Sequence, residues 1–130
     1  MARISKGAAG EVLAARYLRK HHYTILSANY RTRFGEIDII AADKQYIAFV
    51  EVKQRADTAI YTPQEAVTSV KQRKIRRTAM LYLQTHADIR LQPRFDVISI
   101  VMAGGEDPMQ VKELTHLKAA FDAGDTYEAF

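Results

Sequence analysis

In "SKGAAGEVLAARYLRKHH" the residues Ala8, Val12, Ala15 and Leu18 or Arg19 follow helical spacing. That pattern predicts a helix over about 6–21 with Ser5 as its N-cap. The pattern then changes period. "YTILSANYRT" is β-branched and aromatic, which predicts a strand over 24–32. "GEIDIIA" and "YIAFVEVKQR" read as two more strands joined by the polar turn "ADKQ". "TPQE" at 62–65 opens a second helix, with Thr62 as N-cap, Pro63 at the first helical position and Glu65 completing a capping box. This helix extends to about His86, with Val67, Val70, Ile75, Ala79 and Tyr82 as its core face. "RFDVISIVM" at 94–102 is a strand, Gly104, Gly105 and Pro108 break the chain, and "QVKELTHL" is a short strand before a flexible tail over 120–130. The expected order α-β-β-β-α-β-β describes one α/β domain over 1–130, with helices packed on a central mixed sheet.

Two of these strands carry charges that a simple apolar strand would not. "GEIDIIAADKQYIAFVEVKQR" places Glu36, Asp38, Glu51 and Lys53 among Ile, Val, Phe and Ala. Charges in such segments cost free energy unless they are paired, bind a metal or line a cleft. Strand alternation puts Glu36 with Asp38 on one face, opposite Ile37 and Ile39, and Glu51 with Lys53 on one face of the next strand. A two-residue loop at Lys44 and Gln45 sets Asp38 opposite Glu51 and Glu36 opposite Lys53. A four-residue loop over 42–45 sets Glu36 opposite Glu51. Both gather the four side chains on one side of the sheet, whereas a three-residue loop drives one pair into the core.

Three carboxylates together need raised pKa values, Lys53, or a divalent cation. An all-oxygen donor set favours Mg²⁺ or Mn²⁺ over Zn²⁺. A lysine two residues from a metal-binding Glu can orient a water or stabilise charge on a phosphate, so the set suits phosphodiester hydrolysis. The bland alternative is a surface hairpin whose charges face solvent as salt bridges. Glu11 borders the apolar stripe of the first helix, where Gly7 and Gly10 permit close approach to a neighbour. It can join the cluster or pair with Arg31 or Arg33.

The net charge of +4 gains meaning from its distribution. Five of the seven residues in "KQRKIRR", 71–77, are basic, while several acids lie near the C-terminus, so the chain before about residue 100 is more basic than the total. That permits nucleic-acid binding, although a basic run on a helix also serves as a solvated face. Arg55 shares a face with Lys53, and Arg31 and Arg33 flank the cleft entrance. With Lys71, Arg73, Lys74 and Arg77 they are the candidate phosphate contacts. The absence of cysteine excludes disulfides and thiolate metal sites. No run of 18 apolar residues marks a membrane span, and Glu11 and Arg16 interrupt any signal-peptide core, so a cytoplasmic location is expected.

Asp38 followed thirteen residues on by Glu51-Val52-Lys53 resembles the Asp…Glu-x-Lys signature of the PD-(D/E)XK nuclease superfamily. The whole chain more closely resembles the YraN-like family of small bacterial proteins. The resemblance is carried by "GAAGEVLAARYL" at 7–18, "NYRTRFGEIDIIA" at 29–41, "FVEVKQR" at 49–55, "PQEAV" at 63–67, "RFDVISI" at 94–100 and "LTHLKAAF" at 114–121. It implies a restriction-endonuclease-like core and similarity to archaeal Holliday-junction resolvases. By that resemblance Asp38 and Glu51 would be metal ligands, Lys53 the catalytic lysine and Glu11 an auxiliary acid; Glu36, by strand alternation on the same face as Asp38, is the candidate outer-shell ligand. Two positions depart from the pattern: Ile37 stands where the superfamily has proline, and Tyr61 where the family often has glycine. The implied function is Mg²⁺- or Mn²⁺-dependent hydrolysis of DNA, selected by branched or junction shape in recombination or repair, with a homodimer needed for symmetric cutting. The alternatives are a nucleic-acid-binding accessory with the same fold, serving a helicase or recombination protein, and a structural partner whose cleft binds protein.

Overall fold

The computed structural model describes residues 6–56 and 67–122. In chain order the described elements are α1 (Lys6–Lys20), β1 (Thr24–Thr32), β2 (Gly35–Ala42), β3 (Tyr46–Ala56), α2 (Ser69–Thr85), β4 (Gln92–Met102) and β5 (Val111–Phe121). The strands form one mixed sheet in the order β1-β2-β3-β4-β5. Neighbours are antiparallel except for β3 and β4, which run parallel because α2 lies in the connection between them.

The two helices cover opposite faces of the sheet. Ala14 and Leu18 of α1 pack against Ile39, Ala41, Ala48, Val50, Ile98 and Ile100. Ile75, Ala79 and Tyr82 of α2 pack against Ile37, Ile40, Ile47, Phe49, Phe95 and Val97. Alternation along β3 and β4 feeds both cores, so these strands read as nearly continuous apolar runs. The buried stripe of α1 passes through Ala14 and Leu18, while Ala8, Val12 and Ala15, expected to carry it, are half-buried.

Helix α2 starts later than its sequence pattern implies. Thr62, Pro63 and Glu65 lie outside the described residues, and the helix begins at Ser69, capped by Thr68, whose Oγ1 accepts from the Lys71 amide at 3.2 Å. Its buried residues are Ile75, Thr78, Ala79 and Tyr82, and one helical turn before Ile75 the inward position is Lys71. Val70 is therefore turned out and 58 % exposed instead of joining the core. The last strand is longer than expected and continues through Phe121, where a flexible tail was anticipated from residue 120; residues 123–130 lie outside the description. Stacking of Phe121 on Phe95, with centroids 5.2 Å apart, holds that end.

Candidate active site at the fork between β2 and β3

The hairpin register pairs Ile39 with Val50, Ile40 with Phe49, Ala41 with Ala48 and Ala42 with Ile47. It is the register of the two-residue loop. Asp43 fixes the turn, its Oδ1 accepting from the amides of Gln45 at 2.9 Å and Tyr46 at 2.7 Å. Pairing with β3 ends at Ile39, whereas β2 stays paired with β1 as far as Gly35. The strands thus part at Asp38. Simple alternation fails there, since Ile37 lies in the α2-side core and Ile39 in the α1-side core.

Asp38 fills the fork. Its Oδ2 accepts from the Val52 amide at 2.8 Å, so a side chain takes the hydrogen bond that a paired strand would have supplied. Glu51 is buried at 6 % exposure on the α2 side, and the Lys53 Nζ lies 3.4 Å from its Oε1. Lys71 reaches the same oxygen from α2. Glu11 approaches from α1, near enough for its charge to act on Asp38. Gly10 makes that approach possible. Its amide donates to Gln54 Oε1 at 2.9 Å, and a Cβ at this position would lie 2.7 Å from that oxygen and 3.1 Å from the Gln54 Cβ.

The electrostatics follow from this crowding. Burial first, and then the neighbouring charge of Glu51, raise the Asp38 pKa to about 7, against the pull of the Val52 amide; Glu11 adds to the rise. Burial and the adjacent Lys71 lower the Lys53 pKa despite its contact with Glu51. Burial opposes the charge on Lys71 as well, but the hydrogen bond and charge of Glu51 outweigh it, and its pKa is raised.

These residues fit a hard divalent cation in donor chemistry, with the carboxylates of Glu51 and Glu11 close enough to act on the charge of Asp38. Among the described residues no three His, Cys, Asp or Glu side chains form a ready-made metal cage. Asp38 and Glu51 would hold the ion, with waters or phosphate oxygens completing the shell, as suits Mg²⁺.

The other predicted residues scatter. Glu36 pairs at 3.2 Å with Arg31, both side chains more than half exposed. Arg33 and Arg77 lie over the Phe34 ring, 4.9 and 4.3 Å from its centroid. Arg77 Nε is buried without a hydrogen-bond partner among the described residues, so this side chain helps seat the β1–β2 turn on α2. Lys71 and Lys74 line a cavity of about 330 Å³ with Gly35, Glu36 and Thr68 beside the N-terminus of α2. Arg73 is exposed on the same helix. Arg55 is buried at the end of β3 and lines a separate cavity of about 230 Å³ with Gln54, Met102 and Gly104.

Residues 10–100 match the model of the uncharacterised protein family UPF0102. The chain belongs to UPF0102. A UPF0102 protein of Nocardia farcinica is 48 % identical over 115 residues, covering 88 % of this chain and 87 % of that one. One from Geobacter metallireducens is 45 % identical over 118 residues, covering 91 % and 93 %. The UPF0102 protein CT2262 of Chlorobaculum tepidum is 43 % identical over 120 residues, covering 92 % and 93 %. The matched span of this UPF0102 chain contains Glu11, the whole β2–β3 fork and Lys71. No described helix is long and apolar enough to cross a membrane.

A second polar centre lies on the α1 side, around Asp96 of "RFDVIS", a residue that the sequence marks for a structural role and not for the cluster. Asp96 is fully buried and accepts from Arg94 through both oxygens at 2.9 Å, from the Ala119 amide at 3.0 Å and from His116 Nε2 at 2.8 Å. Arg94 also donates to the Tyr23 hydroxyl. The other His116 nitrogen, Nδ1, lies 3.0 Å from the Tyr17 hydroxyl, which tethers β5 to α1. Burial raises the Asp96 pKa, but its hydrogen bonds from His116, Arg94 and Ala119 prevail and hold it below the ordinary carboxylate value. The alternation in "RFDVISI" was the available signal: it places Asp96 on the same side as Ile98 and Ile100, where a charge requires partners.

Proposed function

We propose that this chain is a metal-dependent nuclease of the PD-(D/E)XK type, with a restriction-endonuclease-like core, hydrolysing DNA phosphodiesters. The observation that carries the reading is the meeting of Asp38, Glu51 and Lys53 at the one point where β2 and β3 part. A bound Mg²⁺ or Mn²⁺ would supply charge stabilisation and lower the pKa of a water. The chain's own residues do the rest. Asp38 and Glu51 supply the anionic oxygens, and Asp38 is held in place by Val52. Lys53, its ammonium form weakened by burial and by Lys71, orients the attacking water and offsets charge on the phosphoryl oxygens. The new bond joins the water oxygen to phosphorus, and the bond from phosphorus to the departing sugar oxygen breaks. Lys71, Lys74 and the N-terminal end of α2 favour phosphate beside the fork. The reading extends to a substrate chosen by shape, as a branch, flap or junction in recombination or repair.

One observation favours a second reading, a DNA-binding accessory without catalysis: two ammonium groups already occupy the Glu51 carboxylate. Labelled single-stranded, duplex, flap and four-way-junction DNA, each incubated with Mg²⁺, Mn²⁺ or chelator, separates the two. The nuclease reading expects metal-dependent cutting that Glu51→Gln loses. Junction binding with no cutting in any lane would overturn it in favour of the accessory.

A further inference from the structure

The C-terminal half of α1 carries a groove that the fork does not use. Arg16, Tyr17, Arg19, Lys20 and His21 line a shallow cavity of about 740 Å³. None of the five is acidic, and Glu11 is the only acid on α1. Within the groove Tyr17 and His21 form an aromatic pair, with centroids 4.2 Å apart and planes 32° apart. Their placement is fixed from two sides. His21 Nδ1 lies 2.8 Å from the Tyr17 carbonyl oxygen, and the Tyr17 hydroxyl is held by His116, itself anchored on buried Asp96. Arg16, Arg19, Lys20 and His21 are exposed.

We infer that this groove binds single-stranded nucleic acid, with a base lying against the Tyr17–His21 pair and backbone phosphates on Arg16, Arg19 and Lys20. A rigid aromatic surface flanked by cations is the chemistry that takes unpaired bases without regard to sequence. A helix dipole at its C-terminus accounts for cations there but not for an aromatic pair braced from the core. From Glu11 to Arg19 is about 12 Å along the helix axis, which spans about three nucleotides of stacked strand. The inference rests on the nuclease reading only for its consequence: a strand seated here would lead into the fork, making single-strand-bearing forms such as flaps and forks the substrate class.

Binding is measured by fluorescence anisotropy with chelator present, so that no result depends on cutting. The probes are 12-nucleotide oligothymidylate, its RNA counterpart, an abasic 12-mer of equal charge and a 12-base-pair duplex. Arg16→Ala/Arg19→Ala/Lys20→Ala alters exposed side chains only, and thermal melts check its fold. We expect oligothymidylate to bind about tenfold tighter than the abasic strand, and the triple variant to weaken both about tenfold or more. His21→Ala should reduce thymidylate binding about fivefold while sparing the abasic strand. The RNA arm tells which sugar the groove prefers, and binding of either nucleic acid supports the inference. Equal affinity for thymidylate and abasic strands, tighter binding of the duplex, an unaffected triple variant, or full competition by polyglutamate of equal charge would each overturn it. A protein that fails to cut but loses strand binding in these variants refutes the nuclease and leaves the groove standing.

Discussion

The Val52 amide donates to Asp38 at 2.8 Å at the level where β2 ceases to pair with β3. One hydrogen bond thus both closes an open ladder position and aims a carboxylate into the gap. Asp38 owes its place to lost strand pairing, and its raised pKa to burial beside Glu51.

That raised pKa makes the metal-free protein pH-sensitive. Asp38 goes from about 3.8 unfolded to about 7 folded, so across that interval the folded state holds more protons and stability falls as pH rises. Asp38→Asn keeps an oxygen for the Val52 amide and removes the charge. Urea titrations should find it more stable than the parent at pH 8, by about 1–2 kcal/mol, with the gap closing towards pH 4. Equal curves at pH 8 would show that Asp38 carries no electrostatic penalty.

Lys71 stands in for part of the charge that a cation would bring to Glu51. Lys71→Met retains the aliphatic stem and leaves the buried carboxylate with Lys53 alone. Without divalent ions it should lose about 1–2 kcal/mol, and millimolar Mg²⁺ should restore more melting temperature to the variant than to the parent. Equal Mg²⁺ shifts in calorimetry would disprove the exchange of roles.

Asp96 behaves in the opposite sense to Asp38. Its folded pKa lies below the ordinary value, so its contribution is complete above the unfolded pKa and disappears as pH falls through the folded one. Asp96→Ala strands the Arg94 guanidinium and should cost about 3–5 kcal/mol at pH 7. Chemical denaturation below pH 4 should show the difference from the parent narrowing. A constant difference down to pH 2 would contradict the assignment.

Gly10→Ala tests the seating of α1. Alanine improves helix propensity by about 1 kcal/mol, yet its Cβ would sit 3.1 Å from the Gln54 Cβ, an atom that cannot swing away. Net destabilisation of about 1–2 kcal/mol is expected. Adding Gln54→Gly, which removes the opposing side chain, should recover part of it. Additive losses in the double-variant cycle would place the strain elsewhere.

Much of this fold was legible in local pattern. β-Branched and aromatic composition marked β1 at Thr24–Thr32, and apolar runs marked β2, β3 and β4. The hairpin register was narrowed to two alternatives, and Asp43, a turn-forming side chain, settled it. Failures came where tertiary geometry overruled periodicity. Alternation could not foresee the change of face across Asp38, because a fork is a property of three strands. A core position for Val70 followed from its apolarity, but helix phase gave the inward position to Lys71, and that phase could have been read from Ile75, Thr78 and Tyr82. The link between Tyr17 and His116 joins residues 99 apart in sequence, beyond any local signal.

The parallel pairing of β3 with β4 also sets an order of assembly. β1, β2 and β3 are joined by short turns and can associate from nearby chain alone, whereas β4 must return past α2 to reach β3. Long-range parallel contacts form late, because loop closure is costly before they reward it. Glu51 and Lys53 lie on this seam, and Lys71 belongs to the returning segment. A hairpin formed before that return leaves Asp38 and Glu51 solvated, without Lys71 beside them. Their burial requires α2 and β4 to return to β3, so the same pairing that joins the hairpin side of the sheet to β4 also sets up the field at the fork.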